Sequence, residues 1–148
     1  MSSPKRNPGD KKVYVPRETL VMLSDAIEGF RLAERLVMEG LESHHYPEAS
    51  RFAIRLALEE AVVNAFKHGS KGVKNPKVEF GYEVTDRNVY LRVKDPGPGF
   101  QPECLPDPTA PENLERPGGR GVMLMKAFMS KVEYRGCGNE IVMVYDRP

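Results

Sequence analysis

Apolar residues in this chain keep a helical spacing from Glu18 to Lys67 and a spacing of two from Val78 to Val93, and that switch limits the folds open to it. From Glu18 to Gly40, Leu20, Leu23, Ile27, Phe30 and Leu36 recur near the helical period. Gly40 reads as the terminator of this first helix, and "ESHHYP" as the connector to the next. Ser50 to Lys67 forms the second helix, with Gly69 and Gly72 as stop signals. The period then falls to two. Val78, Phe80, Tyr82 and Val84 alternate with other residues, "TDRN" carries turn chemistry, and Val89, Leu91 and Val93 alternate again. This predicts a hairpin with one buried face. "KKVYVP" suits a short first strand ended by Pro16, "GVMLMKAFM" a short helix, and "KVEYRGCGNEIVMVY" a second hairpin around Gly136 and Gly138. The order β-α-α-β-β-loop-α-β-β, with strand pairs joined by tight turns, implies an α+β fold. It is a two-layer sandwich in which a mixed, mostly antiparallel sheet carries its helices on one face.

At 148 residues the chain suits one domain, expected to span residues 11–148 behind a disordered polar tail of residues 1–10. No run approaches the roughly 18 apolar residues a membrane helix needs, and "MSSPKRNPGDKK" lacks the apolar core of a signal peptide. A cytoplasmic protein that does not act at a membrane is therefore expected. A net charge of +1 gives no electrostatic footprint for direct nucleic-acid binding. Cys104 and Cys137 are far apart and lack metal-ligand spacing, so they read as free thiols of a reducing compartment.

Two features point to a ligand. In "ALEEAVVNAFKHG", Glu60, Asn64 and His68 fall four residues apart and so share one helical face. Ala53 and Ala57 lie in the sector of Glu60 and Asn64, and small residues there leave room for a ligand over the helix. Glu59 projects about 100° away from Glu60, so the two acids need not share a role. Taken singly, Glu60 and Asn64 fit a solvated amphipathic face, His68 a structural or capping residue, and Lys67 an ordinary surface lysine. The second feature is the aperiodic stretch from Pro96 to Gly121, bracketed by "DPGPGF" and "GGRG". Long loops of this kind are often lids. Glycines with a helix starting at the second cluster let backbone N–H groups approach phosphate oxygens. The portion from Gln101 to Arg116 is expected to be a lid, mobile without ligand.

"EAVVNAFKHG", "DPGPGF" and "GGRGVMLM", in that order and at these separations, resemble the N, G1 and G2 boxes of the GHKL ATPase superfamily, whose nucleotide-binding domain is the Bergerat fold. The likeness runs from about residue 11 to the end and is strongest to RsbW-type anti-sigma-factor serine kinases. No G-x-x-x-x-G-K-[ST] P-loop is present. The resemblance implies ATP/ADP and Mg²⁺ as ligands. It gives Asn64 the metal, through its amide oxygen, and Glu60 the role of general base. It gives Asp95 the adenine amino group, and Gly97 and Gly99 a close passage of the chain beside the base. Gly119, Arg120 and Gly121 would cradle the phosphates. Phe100, Gly118, Val122, Lys67 and His68 are counted in the same nucleotide site, and Arg116 would add charge from the lid. G2 reads G-G-R-G, which fits two registers, and the last strands show no obvious counterpart of the threonine that many members place near adenine.

The resemblance further implies phosphorylation of a STAS-domain antagonist, sequestration of a sigma factor or equivalent partner, and a homodimer. Two alternatives stay open: an ATP-loaded binding switch without kinase activity, and a stand-alone histidine-kinase-like module. Glu60 favours the kinase, because a pure switch needs no base. Tyr46 and Pro47 follow His44 and His45, which makes these histidines poor phosphoacceptors.

Overall fold

The switch of period near residue 70 becomes a switch from helix to sheet. The computed structural model describes residues 16–70, 72–97, 125–136 and 139–148. Within them the chain runs through β1 (Thr19–Leu23), α1 (Ala26–Ser43) and α2 (Glu48–Asn64), then β2 (Val78–Val84), β3 (Asn88–Lys94), β4 (Lys131–Arg135) and β5 (Glu140–Asp146). A π turn, Ala65–Gly69, extends α2, and residues 125–128 are helical. The sheet order is β1-β2-β3-β5-β4, and every described pairing is antiparallel. The α+β sandwich expected from the sequence is thus borne out.

Period-two patterning sets the sheet's two faces. Phe80 pairs with Val93 and Val93 with Ile141, while Tyr82 pairs with Leu91 and Leu91 with Met143. These rows face the helices. α1 contributes Ala33, Val37 and Leu41 to the core, and α2 contributes Ile54, Ala57, Leu58, Ala61 and Val62. Burying each large aliphatic side chain contributes about 1.5–3 kcal/mol. Thr85 closes the β2–β3 turn. Its Oγ1 accepts from the Asn88 N–H at 3.1 Å, so the turn chemistry read in "TDRN" is present.

Three local expectations are corrected. Residues 19–23, read as the start of the first helix, are strand β1, paired with β2 from Thr19–Tyr82 to Leu23–Val78. Both faces of this edge strand carry apolar residues, so its sequence hides the strand period. The helix begins later, where the Asp25 carboxylate accepts the Glu28 N–H at 2.9 Å as an N-cap. Gly40 does not end α1. It lies inside the helix, where a β-carbon would come within 2.9 Å of Val84 on β2, so it serves close helix–sheet approach. The helix runs on to Ser43, and the left-handed turn that stops it is at His45, φ +54, with the Tyr46 N–H on Leu41 O and the His45 N–H on Glu42 O. Arg147 fixes this corner. It donates to the carbonyls of His44, His45 and Asp86 and stacks over the Tyr46 ring at 4.4 Å. α2, finally, runs in α geometry from Glu48 only as far as Asn64. The first strand expected in "KKVYVP" and the tail at residues 1–10 lie outside the described residues.

The face of the sheet away from the helices carries an ion cluster. Arg92 pairs with Glu18 at 2.6 Å, Glu79 at 2.6 Å and Glu140 at 2.8 Å. Those bonds push the guanidinium further above its already high pKa, chiefly through Glu18 and against the effect of burial. Glu18 lies across Gly81, where a β-carbon would overlap its carboxylate. No described helix is long and apolar enough to cross a membrane.

Candidate nucleotide site

The residues singled out in the helix lie at its last turn. Glu60 and Asn64 are half-buried at the end of α2, and neither side chain bonds to another described residue. Ala57 is buried in the core and Ala53 is buried too, so these alanines pack the helix rather than leave a ligand space over it. The stripe of Glu60, Asn64 and His68 is also corrected. After Asn64 the chain changes from i→i+4 to i→i+5 geometry, so His68 does not continue the α-helical phase. Lys67 and His68 are exposed at this turn. The Ser70 hydroxyl, buried, donates to Ala65 O at 2.8 Å and closes the turn from within. Sequence analysis does not single out Ser70, and its spacing to Ala65 becomes informative only once a π turn is known.

Asp95 directly follows β3 and is fastened twice. Its N–H donates to Asn139 O at 2.9 Å, which ties it to the start of β5. Its Oδ1 accepts the Gly97 N–H at 2.9 Å, the local loop expected of an aspartate two residues before a glycine. Oδ2 bonds to no described residue. Burial raises the carboxyl above the ordinary carboxylate range, against the opposing effect of the Gly97 N–H. The two sequence boxes meet here. A β-carbon at Gly97 would overlap Gly69 O, and one at Gly69 would overlap the Asp95 carboxylate. The end of α2 and the turn after β3 are therefore in backbone contact, which juxtaposes the element carrying Glu60 and Asn64 with the one carrying Asp95.

A family model described as the histidine kinase-like ATPase domain matches residues 23–145. The chain belongs to this family. The match runs from the last residue of β1 through nearly all of β5, and the GHKL resemblance read from the three boxes is borne out. As a histidine kinase-like ATPase domain, the chain is also similar to curated kinases. It is 30% identical over 97 residues to the serine-protein kinase RsbW of Listeria innocua, covering 61% of this chain and 62% of that protein. It is 29% identical over 87 residues to the serine/threonine-protein kinase BtrW of Bordetella bronchiseptica, covering 57% and 61%. These matches span about three fifths of each relative's length.

Within the domain, Glu60, Asn64, Lys67, His68, Asp95 and Gly97 are described. Gly99, Phe100, Gly118, Gly119, Arg120, Gly121, Val122, Arg116, the expected lid and both cysteines lie outside the described residues. His44, a histidine weighed as a phosphoacceptor, is engaged elsewhere, with Nδ1 2.6 Å from Asp86.

Proposed function

We propose that this chain binds Mg-ATP and acts as a protein serine/threonine kinase of the anti-sigma-factor type, phosphorylating a STAS-type antagonist while sequestering a sigma factor or equivalent regulator. One observation carries the nucleotide reading: the Asp95 carboxylate is half-buried, with one oxygen held by Gly97 and the other uncommitted among described residues. An acceptor fixed in this way favours adenine, which offers an amino group, over guanine, which offers a carbonyl.

The donor set at the end of α2 fits magnesium. No described cluster of three or more acidic, His or Cys side chains could hold a metal. A single amide oxygen from Asn64 suits Mg²⁺, which usually keeps several waters and binds mainly through phosphate oxygens. Mg-ATP, when bound, supplies the transferable phosphoryl group. Glu60, one turn before Asn64, would orient a serine hydroxyl and take its proton. Lys67 and His68, with the glycine cluster from Gly118 to Gly121, Arg120 and Val122, would line the phosphates, and Gly99 and Phe100 the base. The names of the RsbW and BtrW relatives support the kinase reading. A homodimer is part of the same proposal, supported by β1 at the sheet edge with Leu20 and Met22 about half exposed.

Glu60 and Asn64 separate kinase from binding switch. Glu60→Ala is expected to leave Mg-ATP affinity within about threefold while lowering transfer to the partner by about 10²–10⁴. Asn64→Ala is expected to impair both, and Glu59→Ala neither. The measurement is radiolabelled transfer to a partner isolated by pull-down, beside calorimetry with ATP. Wild-type protein that binds its partner only with ATP yet transfers no phosphate would be a switch. Transfer that survives Glu60→Ala would move the base elsewhere.

A further inference from the structure

We propose that Gly69 positions the base-reading carboxylate: the space left by its missing side chain is the seat in which the free oxygen of Asp95 is held toward the nucleotide. This rests on the nucleotide reading above and assigns a selectivity role to a residue outside the acid, amide and lysine set. Gly69 is not needed for an unusual backbone angle. The described glycines with positive φ are Gly72 and Gly136. An L-residue at 69 would therefore meet no dihedral penalty, and space alone decides.

That space is already occupied. A β-carbon at Gly69 would overlap Oδ2 and Cγ of Asp95 and lie 2.7 Å from its Cβ. The carboxylate cannot swing away cheaply. The Asp95 N–H is held on Asn139 O and its Oδ1 on the Gly97 N–H. Gly97 cannot retreat freely either, because Gly69 O sits where its own β-carbon would be. The π turn brings Gly69 to this place. Ala65–Gly69 takes one residue more per hydrogen-bonded turn than α geometry, and Ser70 Oγ pins the turn on Ala65 O. The turn after α2 thus works as a template for the carboxylate, and a methyl group at position 69 would push Oδ2 out of register with the base.

The test pairs affinity with selectivity in the full chain. Gly69→Ala is expected to weaken ADP binding at least tenfold and to shrink the preference for ADP over GDP by a similar factor, both by calorimetry. ADP affinity within twofold of wild type, or equal proportional losses for ADP and GDP, would overturn the role. The second readout is thermal unfolding in the Asp95→Gly background, where the overlapping atoms are gone. Gly69→Ala should lower the melting temperature of wild type but leave that of Asp95→Gly unchanged. If Gly69→Ala alone does not fold, the pair decides: stability equal to Asp95→Gly supports the seat, and a further loss overturns it. Wild-type protein without affinity for adenine nucleotides would sink the nucleotide reading and the selectivity role together, while the unfolding cycle still tests the steric seat separately.

Discussion

Asp95 trades stability for recognition. Burial raises its pKa, so the folded chain holds the proton more tightly than the unfolded chain does. The sign follows: folding gains from this group below the ordinary carboxylate pKa, and the gain is lost as pH rises through the raised value. Above that value the ionised group is a cost. Asp95→Asn without nucleotide should therefore melt at the same temperature as wild type or slightly higher at pH 7, while ADP affinity falls at least tenfold, about 1.4 kcal/mol. Differential scanning calorimetry beside titration calorimetry checks both, and a variant that binds ADP like wild type would remove Asp95 from the site. Arg92 is the opposite case. It is the shared cation of Glu18, Glu79 and Glu140, whose side chains keep 18–31% exposure against its own 11%. Arg92→Met should cost about 2–3 kcal/mol in urea unfolding, below the 3–5 kcal/mol typical of a fully buried pair because water still reaches the carboxylates. Sequence pointed to Asp95 and Gly97 through the likeness of "DPGPGF" to a family box rather than through their own spacing. It did not show the tasks of Gly69, Gly81 or Arg92, which are set by neighbours on other strands.

Elements were legible where one face packs on the helices. β2 and β3 show their alternation through the rows of Phe80, Tyr82, Leu91 and Val93, although Gly81 and Tyr90 of the other face are buried too, and α2 shows its buried stripe. β1 reads as helix because an edge strand with apolar residues on both faces has no period of two. The signal available was Asp25 followed three residues later by Glu28, the mark of a helix start. Gly40 misled because a glycine that allows close packing looks like one that ends a helix. The π turn had no sequence signature at all. Its stability is testable: Ser70→Ala removes a buried donor from Ala65 O and should cost about 1–2 kcal/mol. Hydrogen exchange should speed up across residues 65–70 while β3 keeps its protection, and unchanged exchange would mean that the hydroxyl does not hold the turn.

Across the whole molecule, strand order could not be derived from the sequence. Tight turns fix β2 beside β3 and β4 beside β5, but only the three-dimensional fold places β5 between β3 and β4. The proposed homodimer is also a property of this scale. Replacing Leu20 and Met22 with lysine changes side chains about half exposed on β1 and should leave the monomer folded. By light scattering at tens of micromolar, wild type should give twice the chain mass and the variant the chain mass, and a wild-type monomer would end the dimer proposal. The strand order has a further consequence, in the making of the protein. β3 finds its second neighbour only in β5, so a half-sheet of β1, β2 and β3 leaves the ribosome with an open edge. At about 5–20 residues per second, residues 95–146 take roughly 3–10 s to synthesise. For that interval the nascent chain exposes a ready template for any other strand, so this sequence is expected to depend on how crowded its birthplace is.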